Sequence, residues 1–374
     1  MWNLGRRKVD WFGSRIQKLI NKENLDRDTI REMFTQVLQG EQPDLQQGAF
    51  LAALAAKGET AAEIAGAWEA IREVDTVKVE PTVDGPIVDN CGTGMDSLKT
   101  FNISTAASII AAAEGVVLAR HGARSITSRC GTVDVAEALG VDVEAEIEVA
   151  RKSVERCGLG LFNGMSPSVH PNGLFRILSR IRFGTTLNIA GSLASPVLPH
   201  VGVRGVFSPE MVDKVAAVMK EIGYREAYVF HGLRGNGEPG MDEISNLGPT
   251  VFCRLKRNGN LERFTLEPEE LGLKRVRAEE LAPAGSPREE AVGLVRLVSG
   301  RDNGARLEAV CVNTAPMFLL VGRVGEFRAG VELARETVLS GKGLAKLKEW
   351  VSSQNRDPDK GLARLEKVVR QAGI

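Results

Sequence analysis

The chain has 374 residues, and Lys plus Arg equals Asp plus Glu at 48 each, so no global field draws it to nucleic acid or to an anionic membrane. Its 43% hydrophobic and 26% charged residues are those of an ordinary globular chain, long enough for one large or two modest cores. The five cysteines are scattered without CxxC spacing, which argues against a disulfide framework or structural zinc and fits a reducing cytoplasm.

Up to about residue 76 the pattern is helical. "SRIQKLINK", "LDRDTIREMFTQVLQG", "GAFLAALAAKG" and "TAAEIAGAWEAIREV" are amphipathic runs broken at Gly40, Pro43 and Gly58. Thr60 followed by Glu63 forms a capping box at the start of the last run. The opening "MWNLGRRKVDWFG" has no apolar stretch behind its basic residues, so it does not read as a secretory signal. No run reaches the roughly eighteen apolar residues of a membrane span.

From Pro81 the texture changes. "PIVDNCG" reads as a buried strand, "STAASIIAAAEG" as a helix, "VVLARHG" as a strand and "TVDVAEALG" as a helix. "SPEMVDKVAAVMKEIG" is a helix leading into the strand "EAYVFHG". Alternating strands and helices predict a mostly parallel α/β sheet covered on both faces. "TVFCRLKRNGNLERFTL" predicts a hairpin turning at Asn258-Gly259-Asn260. Helices follow at "SPREEAVGLVRLVSG", "NTAPMFLLVGRV", "FRAGVELARETVLSG" and "LAKLKEWV", and the charged last twenty residues read as a frayed end or a short solvated helix. The fold class is therefore α/β: a small all-helical domain over residues 1–80, completed by helices around 170–195, and a large α/β domain over 81–374 with a mostly parallel central sheet.

Four polar segments interrupt this pattern. In "DNCGTGMDSLKTFNIST" a strand delivers two glycines to a turn and a helix starts near Ser104-Thr105. Free backbone N–H groups and the positive helix end then coincide, which suits a phosphate, and Ser104 offers a hydroxyl to magnesium. A Gly-rich turn with an N-cap serine is the plainer reading of the same residues. "ARHGARSITSRCGT" gathers Arg120, His121, Arg124, Ser125, Thr127, Ser128 and Thr132 after another strand, suiting a polyanion or simply a polar surface loop. "GMDEIS" places Asp242 and Glu243 side by side, as a magnesium pair or a solvated helix start. In "SVHPNGLFRILSRIRFG", His170 lies in a loop and Arg176 and Arg180 share a helix face, as carboxylate ligands or as surface cations.

Together these segments resemble the anthranilate phosphoribosyltransferase family, of the nucleoside-phosphorylase-like class. The family's GTGGD loop and TFNIST appear as "GTGMD" and "TFNIST", its KHGNRS loop as "RHGARS", and its acidic pair as "MDEIS". "GAFLAALAAKGETAAEIAGAWEAI", "LEPEELGL" and "NTAPMFLLVG" match its other segments, so the likeness runs from about residue 35 to residue 350. The resemblance implies a cytoplasmic homodimeric enzyme of tryptophan biosynthesis. It would transfer the phosphoribosyl group of 5-phosphoribosyl diphosphate, with Mg2+, to a small aromatic amine such as anthranilate. It implies donor binding by Gly92, Thr93, Gly94, Asp96, Thr100, Asn102, Ser104, Thr105, Arg120 and Thr132, and metal binding by Ser104, Asp242 and Glu243. Gly92, His121, His170 and Arg180 would hold the acceptor. A nucleoside phosphorylase and a non-enzymatic nucleic-acid-binding relative are the alternative functions.

The chain departs from the family pattern at definite places. Met95 stands at the second glycine of the GG pair, Arg120 at the loop lysine, Thr132 at a serine and Ala123 at an asparagine on the acceptor side. The segment "FGTTLN" is shortened and loses the family's arginine, "AGSLASP" stands in place of LGPLxNP, and "HGLRGNGEPGMDEIS" is longer. Counting forward from His170 puts Arg180 at the acceptor-carboxylate position, whereas counting back from Asn188 puts Leu178 there.

Overall fold

The computed structural model describes residues 2–124 and 130–374, with side chains from residue 9 onward. Ser125, Thr127 and Ser128 of the second polar loop lie outside these described residues. The N-terminal amphipathic runs form α1 (Trp2–Ile20), α2 (Arg27–Leu38), α3 (Asp44–Lys57) and α4 (Ala61–Val74). Thr60 caps α4 as its sequence predicts: its hydroxyl accepts from Glu63 N at 3.2 Å, and Glu63 Oε2 accepts from Thr60 N at 2.8 Å. Phe50 sits between Phe12 and Phe34, edge to face with both at 5.4 and 5.0 Å between centroids, and locks α1, α2 and α3 together.

The α/β part follows in chain order: β1 (Ile87–Gly92), α5 (Ile103–Ala113), β2 (Val117–Gly122), α6 (Thr132–Leu139), α7 (Ile147–Cys157) and β3 (Leu159–Asn163). Next come α8 (Leu174–Ile181), α9 (Thr186–Leu193), β4 (Val201–Gly205), α10 (Met211–Glu221), β5 (Glu226–Leu233) and β6 (Pro239–Met241). The hairpin β7 (Thr250–Leu255) and β8 (Leu261–Leu266) precedes α11 (Pro287–Val298), α12 (Ala305–Leu320), α13 (Phe327–Leu339), α14 (Lys342–Ser353) and α15 (Pro358–Gln371).

Met1–Lys78 with Gly164–Pro196 make one compact unit, and Val79–Asn163 with Val197–Ile374 make another. In the helical unit α8 and α9 join α1–α4. Trp68 Nε1 donates to Leu193 O at 2.9 Å, and Arg176 Nη2 to Val37 O at 3.0 Å. Arg176 is thereby a tie between α8 and α2.

The sheet of the α/β unit runs β3-β2-β1-β4-β5-β7-β8, with β6 paired to β5. From β3 to β5 all pairings are parallel, and β7 and β8 are antiparallel. The chain runs outward from β1 to β2 and β3 and returns through β4 and β5, so the strand order reverses between β1 and β4, the place at whose carboxyl ends sheets of this kind bind ligands. One sheet face packs on α5 and α12 through Val88, Leu118 and Val203. On the other, Gly202 of β4 lies against Tyr224 and Met219.

The charged C-terminal stretch differs from its reading as a frayed or solvated end. It forms α15, whose Leu365 and Val368 are buried in the main core. Leu362, Leu365, Val368 and Val369 repeat at helical spacing and give it an apolar stripe amid its charges.

Candidate active site

The carboxyl ends of β1 and β4 are both glycine. Gly92 ends β1 and pairs with Gly205 at the end of β4. A Cβ on Gly92 would collide with the Asp242 carboxylate, and one on Gly205 with the Asp242 main-chain carbonyl. Two adjacent strand ends without side chains thus admit Asp242 between them. Gly94 N then donates to Asp242 Oδ2 at 2.8 Å, joining the first polar loop to the acidic pair.

Gly94 and Met95 both adopt left-handed backbone, at φ +65° and +66°. Glycine tolerates this, whereas a residue with a Cβ costs about 1 kcal/mol there. Met95→Gly should therefore leave stability unchanged or raise it by up to about 1 kcal/mol, and Met95→Val should lower it by about 1 kcal/mol or more. Thermal melts of the three proteins check the order.

The second polar loop reaches the same point. Arg120 on β2 is only 2% exposed, and its guanidinium bonds Asn90 O at 3.1 Å, Thr105 Oγ1 at 3.0 Å and Ser104 Oγ at 3.1 Å. A cation thus sits at the N-terminus of α5, where the helix dipole is already positive. That combination calls for an anion. Carboxylates answer it: Glu243 Oε1 accepts from Ser104 N at 3.2 Å, and Glu290 Oε1 from Asn102 N at 2.6 Å. The N–H groups of Asn102, Ser104 and Gly94, expected free for phosphate, are thus occupied by acidic side chains. Arg124 is paired with Asp134, Glu137 and Glu144, in keeping with the plainer reading of its segment as a polar surface loop.

Asp242 and Glu243 are each partly accessible. Burial, then the charge of Asp96, pushes the Asp242 carboxyl up to about 7, and burial followed by Asp242 raises Glu243 well above the usual carboxylate range. Carboxylate and hydroxyl oxygens are the chemistry a hard cation such as magnesium takes, and Asp242, Glu243 and Ser104 Oγ are of that type. Among the described residues no three His, Cys, Asp or Glu side chains cluster as a cage. Such a set leaves ligand positions for water and a substrate phosphate.

The other predicted residues fall around these. Thr93 is buried and its N donates to Gly205 O at 3.0 Å; Asp96 pairs with Lys99 at 2.8 Å; Thr100 precedes α5 and Thr132 opens α6 against Gly122. His121 is buried near the end of β2. In the helical unit, His170 is 1% exposed with Nδ1 donating to Asp75 O at 2.5 Å, while Arg180 is exposed on α8 and Leu178 partly so. Sequence reasoning missed Glu290, His231 and Asn313. Each is buried and bonds backbone of another element or loop, a relation without a local signature.

A helical bundle and an α/β unit that joins a buried cation to a carboxylate pair at its switch point are the two parts of a glycosyl transferase. The helical-bundle model of the glycosyl transferase family matches residues 14–74, and that family's a/b domain model matches residues 84–344. The anthranilate phosphoribosyltransferase of Desulfosudis oleivorans is 36% identical over 343 residues, spanning 91% of this chain and 98% of the relative. That of Methanococcoides burtonii is 38% identical over 339 residues, spanning 90% and 92%. Among solved structures, the Thermus thermophilus anthranilate phosphoribosyltransferase matches with a TM-score of 0.80 at 32% identity, over 91% of this chain and 98% of that one. The Saccharomyces cerevisiae enzyme in complex with PRPP and Mg matches with a TM-score of 0.80 at 26% identity, over 92% and 98%. The chain belongs to the anthranilate phosphoribosyltransferase family.

Proposed function

We propose that this chain transfers the phosphoribosyl group of 5-phosphoribosyl diphosphate to anthranilate or a closely related aromatic amine, with magnesium, releasing diphosphate. The observation that carries the reading is the meeting of Arg120, the N-terminus of α5 and the Asp242–Glu243 pair, joined by hydrogen bonds at the carboxyl ends of β1 and β2. In the reaction the amine nitrogen bonds the anomeric carbon, the bond from that carbon to the diphosphate oxygen breaks, and the nitrogen loses a proton. Negative charge grows on the leaving diphosphate, so catalysis asks mainly for fixed positive charge and N–H donors there.

Gly92, Thr93, Gly94, Asp96, Thr100, Asn102, Ser104, Thr105, Arg120 and Thr132 are the proposed donor residues. Ser104, Asp242 and Glu243 are proposed to hold magnesium, which when bound supplies charge neutralisation of the departing diphosphate. Asp242 and Glu243 would then release the N–H groups of Gly94 and Ser104 to the phosphate oxygens. Gly92, His121, His170 and Arg180 are proposed for the acceptor. A homodimer belongs to the same reading and is tested by the solution mass. No helix among the described residues is long and apolar enough to cross a membrane. The nucleic-acid alternative loses support, since Arg176 of its one basic helix is engaged with Val37 O. Nothing in the site favours phosphorolysis.

Calorimetry with 5-phosphoribosyl diphosphate, with and without Mg2+, followed by a diphosphate-release assay over a panel of aromatic amines tests the proposal. Magnesium-dependent binding and turnover with anthranilate is the expected result. Donor binding without turnover on any amine would remove the acceptor assignment. Arg180→Ala should raise the acceptor KM by about tenfold or more while sparing the donor KM, as loss of a charged hydrogen bond does. Unchanged acceptor kinetics would instead favour the register that brings Leu178 to that place.

A further inference from the structure

The Asp242–Glu243 pair follows the last residue of β6, in backbone that has left the sheet ladder. The carboxylates are met by Gly94 N and Ser104 N, and the backbone on either side of them is held by two buried side chains. On the near side, His231 of β5 accepts from Gly240 N through Nε2 at 3.0 Å and meets Val206 O through Nδ1 at 2.7 Å. Gly240 N can only donate and Val206 O can only accept, so the ring is neutral with its proton on Nδ1. On the far side, Asn313 of α12 accepts from Ile244 N at 2.8 Å and donates to Ile244 O at 3.0 Å, while its amide also donates to Ala309 O at 2.8 Å. Both partners of Ile244 are thereby taken by one side chain, and the carboxylate pair is bracketed two residues before and one residue after. His231 is 0% exposed and Asn313 is 2% exposed, so with these partners neither is free to touch a substrate.

We propose that His231 and Asn313 are positioning residues for the metal-binding pair, acting by fixing the backbone on either side of Asp242 and Glu243. This rests on the magnesium-dependent donor reading above. Outer partners of metal ligands commonly tune affinity by about ten- to a hundredfold. The geometry also separates the two ends of the imidazole. Glutamine places its amide where His Nε2 lies and can still accept from Gly240 N, whereas asparagine reaches only the Nδ1 position.

The test titrates Mg2+ at fixed 5-phosphoribosyl diphosphate by calorimetry, and Mg2+ alone by thermal shift, in the wild type and in His231→Asn, His231→Gln, Asn313→Ser and Thr314→Val. Thr314 neighbours Asn313 on α12, and its hydroxyl donates to Val310 O of its own helix at 2.8 Å, so its variant controls for lost stability. The half-saturating Mg2+ should rise by about tenfold or more in His231→Asn and Asn313→Ser. It should rise less in His231→Gln and stay near the wild-type value in Thr314→Val, with the acceptor KM unmoved throughout. Equal Mg2+ response in all variants, or a loss in His231→Asn no greater than in Thr314→Val, overturns the proposal while the wild-type donor binding stands. Should Asn313→Ser fail to fold, the His231→Asn and His231→Gln comparison decides alone. A wild type that binds the donor without regard to Mg2+ would instead overturn the underlying function and this inference with it.

Discussion

Asp242→Asn should keep the fold and reduce magnesium-dependent turnover by about a hundredfold or more, equivalent to about 3 kcal/mol of transition-state stabilisation. Asparagine can still accept from Gly94 N, so the loop contact at 2.8 Å survives while the charge is lost. The pH dependence carries the sharper signature. Burial and then Asp96 push the Asp242 carboxyl up to about 7, so below that pH magnesium must displace a proton. The half-saturating Mg2+ should therefore rise by up to about tenfold per pH unit below 7 in the wild type, and far less in Asp242→Asn.

Stability moves the other way. A carboxyl whose folded pKa is raised binds its proton more tightly in the folded state. Its contribution is fully present below about pH 4, the unfolded range, and is lost as pH rises through 7. The metal-free wild type should lose melting temperature between pH 5 and pH 8, Mg2+ should restore it, and Asp242→Asn should show a flatter profile. A wild-type melting temperature insensitive to both pH and Mg2+ would mean that Asp242 is well hydrated and holds no metal.

What the sequence made legible was local. The alternation of apolar strands with small-residue helices announces the sheet, and the Thr60–Glu63 box and the Asn258-Gly259-Asn260 turn depend on residues within reach of one another. In the turn Gly259 adopts φ +80° and Lys256 N meets Asn260 O at 2.9 Å. The strands β3 and β4 left no such mark. "LGLFN" and "VGVRG" are short and glycine-bearing, and β4 carries a buried arginine where a parallel strand ordinarily shows an unbroken apolar run. The polar loops were visible as motifs, but their state was not: that Glu243 and Glu290 occupy the N–H groups at α5 follows from residues more than a hundred positions away. The pairing of Arg124 was not legible either, because its carboxylate partners, including Glu144, lie on segments folded back against it.

Removing the carboxylate of Asp89 should have the largest effect on stability. Asp89 on β1 and Arg204 on β4 form an ion pair in which both side chains are fully buried, and Tyr224 Oη donates to Asp89 Oδ2 at 3.2 Å. A charge left alone in such a place is costly, because the partner that replaced its water is gone. Asp89→Ala should destabilise the protein by about 3–5 kcal/mol, and Tyr224→Phe by about 1 kcal/mol. Removing both charges together is a different matter, since apolar groups of similar volume need no such partner. The double variant Asp89→Leu with Arg204→Met should thus recover most of the loss, and urea unfolding of the four proteins measures it. Donor binding tests what the pair does beyond stability. Asp89 lies opposite Gly202 and Arg204 opposite Cys91, so the ion pair runs diagonally across the two strands that end in Gly92 and Gly205. The same register is also held by the parallel ladder from Val88–Val201 to Gly92–Gly205. The ladder suffices to keep the two glycines side by side, so the double variant should bind 5-phosphoribosyl diphosphate with magnesium as the wild type does. Loss of binding in a stable double variant would show instead that the buried charges hold the strand ends in the register that admits Asp242.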